Sequence, residues 1–144
     1  MNNCFIILAG GESKRFNSKT PKPYNLYKGK PLLLHSIDKV KKYNKFNKIV
    51  VVINKKHKNY IKKLKIKNIK IIDGGTTRAE SAFKALEYIK QFKIINVMIH
   101  DAARPNFTLK LLDKLNKETK SSDCGLGMTD TRWTYLDMVE QLNN

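Results

Sequence analysis

The segment Cys4-Phe5-Ile6-Ile7-Leu8-Ala9-Gly10-Gly11-Glu12-Ser13-Lys14-Arg15-Phe16 opens on an unbroken apolar run, passes into a Gly-rich turn and ends on two adjacent cations. A short run that is apolar at every position predicts a strand covered on both faces, and such strands belong to parallel sheets sandwiched between helices. The glycines let backbone N–H groups approach an anion, and Lys14 and Arg15 neutralise it. A third cation, Lys22, stands between Pro21 and Pro23, just before Tyr24. The two prolines restrict the backbone around it, as suits a cation held at a fixed aim. Apolar strand, small-residue loop and then positive charge suit a phosphate-rich ligand. Taken singly, Gly10-Gly11 also reads as plain turn chemistry and Lys22 as an exposed loop lysine.

The same kind of apolar run recurs at residues 49–53, 69–72 and 94–99, with a further candidate at 124–128. Helical periodicity lies between the runs. Leu33, Ile37, Val40 and Lys41 mark one face of a first helix, and Tyr60, Ile61 and Leu64 mark a short second. Ala79, Ala82, Phe83, Leu86 and Ile89 mark a third, and Leu109, Leu112 and Leu115 a fourth. Strands alternating with helices predict an α/β fold, a Rossmann-like three-layer sandwich with a mostly parallel sheet. Residues 133–142 read as a short terminal helix. No repeat, low-complexity linker or internal boundary appears, and 144 residues suffice for one domain with its own core.

In such sheets ligands bind beyond the carboxyl ends of the strands, where the strand order reverses. Each segment of chemical interest follows a strand. The Gly loop follows the first, Gly74-Gly75-Thr76-Thr77-Arg78-Ala79-Glu80-Ser81 the third, and His100-Asp101-Ala102-Ala103-Arg104-Pro105 the fourth. A strand order of 3-2-1-4 makes the first and fourth neighbours, so that the Gly loop and Asp101 face one crevice. Asp101 suits Mg²⁺ or ribose hydroxyls, or else a cap on a turn. His100 is either a base or a packed strand-end histidine. Thr76 or Thr77 caps the third helix, with Glu80 placed for a capping box with Thr77. Backbone at Gly75 and Thr76, with Ser81 one turn further on, is positioned to read a base edge. The first loop has neither the Gly-Lys-Ser/Thr ending of a P-loop nor the full dinucleotide fingerprint, which argues against a standard kinase or dehydrogenase.

Composition narrows the classes. The formal net charge is +17, but 25 lysines stand against 4 arginines, scattered with no aromatic interleaving. That is a Lys-rich background with a solvated basic face rather than a nucleic-acid-binding pattern, and no recognition motif for nucleic acid is present. Against this background the arginines are the more telling cations, because guanidinium offers a planar, permanently charged fork to phosphate. Arg15, Arg78 and Arg104 each stand in a loop beside small residues. No apolar run approaches the roughly 20 residues of a membrane span, and the start lacks a basic-then-apolar leader pattern. Cys4 and Cys124 are far apart, without metal-type spacing, and both read as reduced core residues, which fits a cytoplasmic setting.

Taken together the blocks resemble the 2-C-methyl-D-erythritol 4-phosphate cytidylyltransferase family. The carriers are Ala9–Gly10–Gly11 with Arg15–Phe16, Pro21–Lys22 with Tyr24, Gly29-Lys30-Pro31-Leu32, Gly74–Gly75 with Arg78 and Ser81, and His100-Asp101-Ala102-Ala103-Arg104-Pro105. Five blocks in order make the match specific over residues 4 to about 123. The ribitol-5-phosphate cytidylyltransferases are similar in the same blocks. The resemblance implies a nucleotide-diphospho-sugar transferase type of fold. It implies a reaction of isoprenoid biosynthesis in which CTP and a polyol phosphate give a CDP-polyol and pyrophosphate, with a divalent cation such as Mg²⁺.

Residue by residue, the resemblance gives Arg15 and Lys22 catalytic roles and places Gly11 with them on the triphosphate. It puts Ala9, Gly10, Gly75, Thr76 and Ser81 around the cytosine, Asp101 on the metal and Ala102 at the ribose. Two positions depart from the family's usual pattern: Ser13 stands where a second glycine is usual, and Pro23 where glutamine is usual. From about residue 125 the family's C-terminal portion is not matched, including the projecting arm that forms its homodimer. The expectation is therefore one nucleotidyltransferase domain over residues 1–144, lacking that portion. It is either a working cytidylyltransferase or a CTP-binding domain without turnover, acting on small molecules and not on a membrane.

Overall fold

A computed structural model of the chain describes residues 3–11, 19–119 and 132–135. In chain order its elements are β1 (Asn3–Ala9), the two-residue strands β2 (Leu26–Tyr27) and β3 (Lys30–Pro31), helix α1 (Leu32–Tyr43) and β4 (Lys48–Ile53). Then come α2 (Lys58–Lys63), β5 (Lys70–Asp73), α3 (Arg78–Ile89), β6 (Asn96–Asp101), α4 (Leu109–Thr119) and β7 (Arg132–Tyr135). Five strands form one sheet in the order β5-β4-β1-β6-β7. Every pairing in that sheet is parallel. Its first four places are the order expected from the sequence.

β1 is central because both of its faces are apolar, and all seven of its residues are buried. The two-residue period of a strand splits them between two cores. Phe5, Ile7 and Ala9 pack with Leu33, Ile37 and Val40 of α1, Ile61 of α2, and Leu112 and Leu115 of α4. Cys4, Ile6 and Leu8 pack with Ala82, Ala85 and Ile89 of α3. Helices on both faces of a parallel sheet give the three layers. Burying each Ile or Leu side chain contributes about 1.5–3 kcal/mol, so β1 alone anchors both layers. Burial pushes the Cys4 thiol up to about 12, with Lys48 pulling weakly the other way, so Cys4 is an inert, reduced core group.

The amino ends of the strands are tied by amides. Asn96 Nδ2 donates to Asn3 Oδ1 at 3.0 Å, and Asn3 backbone N–H donates to Asn47 Oδ1 at 2.9 Å. Asn3 and Asn96 are both buried, and this pairing offsets part of the cost of desolvating them. The β2–β3 hairpin turns through Lys28 at φ 50° and Gly29 at φ 79°, two positive-φ positions in a row, the conformation that a two-residue turn between twisted strands requires.

The structure corrects several sequence expectations. Residues 132–135 are not helical: they pair in parallel with β6, Arg132 opposite Asn96 and Tyr135 opposite Ile99. Arg-Trp-Thr-Tyr is a strand-favouring composition, and the open edge of β6 supplies its hydrogen-bond partners. The rest of the expected helix, the candidate strand at 124–128 and Cys124 lie outside the described residues. Phe83 does not join the buried face of α3 and is 60% exposed. The small residues Ser81, Ala82 and Ala85 let that helix lie close on the sheet and turn position 83 outward. Lys41 faces solvent and donates to the Lys67 carbonyl. The fourth strand begins at Asn96, two residues later than expected, leaving Ile94 as a buried contact before it.

Candidate functional site

The carboxyl ends of β1, β4, β5 and β6 open on one cleft of about 840 Å³. Gly10 and Gly11 form its wall after β1, residues 54–56 its wall after β4, and residues 74–78 with Glu80, Ser81 and Lys84 its wall after β5. Asp101 closes it from β6. The strand order dictates this meeting. From β1 the chain builds outward through β4 to β5, then returns to the other side of β1 for β6, which makes the β1–β6 boundary the switch point.

The β5–α3 wall is folded tightly onto the helix it precedes. Gly74 N–H donates to the Ile53 carbonyl at 2.7 Å, holding the loop to the end of β4. A Cβ on Gly74 would meet Ser81 Oγ at 2.6 Å and Val52 Cγ1 at 3.0 Å, and one on Gly75 would collide with the Glu80 side chain. Only glycine therefore lets the first turn of α3 close over the loop. Thr77 is the N-cap, its hydroxyl accepting from Glu80 N–H at 3.1 Å. The reciprocal arm falls one residue earlier than the sequence pattern implies. Glu80 Oε2 accepts from Thr76 N–H at 2.8 Å and from the Thr76 hydroxyl at 2.9 Å. These two bonds hold the Glu80 carboxyl below its ordinary range. Ser81 Oγ accepts from Gly75 N–H at 3.1 Å. Both amides expected to read a base edge, those of Gly75 and Thr76, are thus met by the helix's own side chains.

Asp101 is the last residue of β6, and Ala102 N–H donates to the Leu8 carbonyl at 2.9 Å, continuing the β1–β6 pairing past the strand end. The Asp101 Oδ2 lies 3.3 Å from Arg78 Nη1, across the cleft. His100 is fully buried, edge-on to Phe107 at 4.6 Å, with Nε2 facing the Arg104 carbonyl. With that carbonyl as the acceptor Nε2 is the donor, and His100 braces the Asp101–Arg104 turn.

Of the residues expected from sequence, Gly10, Gly11, Gly75, Thr76, Ser81 and Asp101 line the cleft together. Ala9 and Ala102 are buried beneath it in the core. Lys22 is not among the lining residues. It stands on a single 3₁₀ turn, Lys22–Tyr24, whose Tyr24 stacks on Tyr60 at 5.1 Å and meets His57 edge-on at 5.9 Å. Arg15 lies outside the described residues. The sequence reading missed Asn54, Lys55 and Lys56, which follow β4 and enter the cleft wall, Asn54 Nδ2 donating to the Gly10 carbonyl at 3.4 Å. The signal was available: they follow an apolar run, as the other three loops do. Among the described residues no three His, Cys, Asp or Glu side chains gather as a metal cluster, and no helix is long and apolar enough to cross a membrane.

Comparison with known proteins agrees with this geometry. The family model for IspD, 2-C-methyl-D-erythritol 4-phosphate cytidylyltransferase, matches residues 3–135. A bifunctional enzyme IspD/IspF from Pelagibacter ubique is 75% identical over 139 residues, which are 96% of this chain and 38% of that protein. A 2-C-methyl-D-erythritol 4-phosphate cytidylyltransferase from Thermosipho melanesiensis is 37% identical over 80% of this chain and 55% of its own length. The chain thus spans about two fifths and about half of these relatives. Among solved structures, the bifunctional IspDF of Campylobacter jejuni superposes with a TM-score of 0.72 at 31% identity, over 93% of this chain and 37% of that one. A 4-diphosphocytidyl-2C-methyl-D-erythritol synthase from Anaerococcus prevotii gives the same TM-score at 25% identity, over 84% of this chain and 52% of its own. With the family model covering nearly all of the described sheet, the chain belongs to the IspD family of 2-C-methyl-D-erythritol 4-phosphate cytidylyltransferases.

Proposed function

We propose that the chain is a cytoplasmic cytidylyltransferase that joins CTP to 2-C-methyl-D-erythritol 4-phosphate, giving the CDP-polyol and pyrophosphate. The observation that carries this reading is the convergence of Gly10–Gly11, the Gly74–Ser81 wall and Asp101 on one cleft at the sheet's switch point. A phosphate oxygen of the polyol attacks the α-phosphorus of CTP in line. A new P–O bond forms, the bond from the α-phosphorus to the bridging oxygen breaks, and pyrophosphate leaves with the electron pair. The protein's share is placement and charge neutralisation.

Gly11, Arg15 and Lys22 take the triphosphate and the charge that develops on it. Ala9, Gly10, Gly75, Thr76 and Ser81 surround the cytosine, and Ala102 backs the ribose. Asp101 fits a divalent cation such as Mg²⁺. It is a single part-exposed carboxylate facing the cleft, and Mg²⁺ in such sites takes one or two carboxylates and completes its shell with phosphate and water. When bound, that cation would neutralise phosphate charge.

The test follows pyrophosphate release from the purified chain with CTP, Mg²⁺ and methylerythritol phosphate, with ribitol 5-phosphate as the parallel substrate. Release with CTP that GTP and ATP do not match is the expected result, and an equal response to all three would sink the cytidylyl assignment. Clear CTP binding without release would favour a nucleotide-holding domain over a working enzyme. Lys22→Ala is expected to lower the rate by about 10²–10³-fold while CTP binding is kept. An unchanged rate would remove Lys22 from the site.

A further inference from the structure

Arg78 is the first residue of α3, whose Ala82 and Ala85 pack over β1 and β4, and Asp101 is the last residue of β6. The 3.3 Å contact between Arg78 Nη1 and Asp101 Oδ2 joins two of the residues that line the cleft. Both side chains are partly in solvent, 48% and 29% exposed. A pair so exposed adds little to folding, which is little reason to hold it at a ligand cleft. Arg78 is also one of 4 arginines against 25 lysines, at a position where a lysine would supply the same charge but not the same fork.

We propose that Arg78 is the counter-ion of Asp101 and exchanges it for a phosphate of the nucleotide when Asp101 takes up the divalent cation. The proposal rests on the reading of Asp101 given above. The chemistry of the two groups supports the exchange. The guanidinium and a hard cation weaken each other's hold on Asp101, because two positive charges share one carboxylate's single negative charge. A triphosphate brings both a cation for Asp101 and anionic oxygens for the freed guanidinium, whose planar donors fit two of them at once. Breaking the pair for a cation alone costs Arg78 its bond to Asp101, whereas the cation–nucleotide complex brings phosphate oxygens to replace that bond. Cation and nucleotide binding are coupled through this pair, and coupling of this kind is typically worth 5–150-fold in affinity.

The experiment titrates the 144-residue chain with Mn²⁺ alone, read by electron paramagnetic resonance, and with CTP at fixed Mg²⁺, read by calorimetry. Arg78→Ala is expected to bind Mn²⁺ about fivefold or more tighter than the wild type and CTP about fivefold or more weaker. Arg78→Lys should fall between them on both scales, and Asp101→Asn should lose the Mn²⁺ signal in either background. Equal Mn²⁺ affinity in wild type and Arg78→Ala, including no binding by either, overturns the proposal. So does tighter Mn²⁺ binding with CTP affinity unchanged, because the guanidinium then makes no phosphate contact. A wild type that binds no CTP at all fails the cytidylyltransferase reading itself. A wild type that binds CTP while Arg78→Ala leaves Mn²⁺ unmoved fails only the exchange.

Discussion

Tyr24 carries a phenolic hydroxyl into a place where, among the described residues, nothing accepts or donates a hydrogen bond to it. The residue is 6% exposed, and burial pushes its hydroxyl pKa up to about 12. An unmet buried hydroxyl costs on the order of 1–3 kcal/mol. The ring itself is well used, stacked on Tyr60 and edge-on to His57, which pins the turn bearing Lys22 to the segment after β4. Tyr24→Phe keeps the ring and removes the unmet group. It is expected to raise stability by up to about 1 kcal/mol, seen as a higher thermal midpoint. A fall of that size would show that the hydroxyl has a partner. This was not legible in the sequence, where Tyr24 was one more member of a Pro-Lys-Pro-Tyr block. Residue types along a chain do not say which aromatic from a distant loop will close over them. His100 was largely legible: its place at a strand end favoured a packed group over a base, and the structure buries it beside Phe107.

At the scale of elements, the central strands were plain because an all-apolar run of five or six residues has few other fates. β7 was hidden because residues 132–135 carry no apolar run and become a strand only where β6 leaves an edge for them. The cleft was legible as a set of loops after strands. The wall after β4 was overlooked because its Asn-Lys-Lys has no glycine to draw attention. The start of α3 shows how far a local pattern goes. Thr77 and Glu80 announced a capping box, and the cap is there, but the glutamate arm reaches Thr76. Thr77→Ala removes the hydroxyl from Glu80 N–H and is expected to cost about 1 kcal/mol, measured as a lower urea midpoint with an unchanged slope. A change below a few tenths would mean that Glu80 alone holds the helix start.

At the scale of the whole molecule, a cluster of charged groups ties α4 to α1 and the segment that follows it. Away from the cleft, Asp113 on α4 gathers Lys117 at 3.0 Å, Lys45 at 3.2 Å and the Tyr43 hydroxyl of α1 at 3.1 Å. The Lys117 bond first, then Lys45 and Tyr43, draw its carboxyl down to about 2. A lowered carboxyl pKa gives stability that is present in full above the ordinary carboxyl range and lost as the pH falls through the folded value. The thermal midpoint of Asp113→Asn should therefore lie below that of the wild type at pH 7, with the gap closing between about pH 4 and pH 2. A gap that persists at pH 2 would assign the effect to something other than the carboxylate. High salt should narrow the gap at pH 7, since these groups are partly exposed.

The position of β1 has a consequence for how the chain is made. It precedes both of its neighbours in the chain, for Cys4 pairs with Lys48 on one side and with Val97 on the other. At typical synthesis rates of about 5–20 residues per second, the nascent chain waits roughly 5–20 seconds before β6 is complete at residue 101. Through that interval a strand that is apolar on both faces has at most one neighbour and an unfilled edge. The segment that later supports the whole sandwich is, during synthesis, the one most in need of shelter.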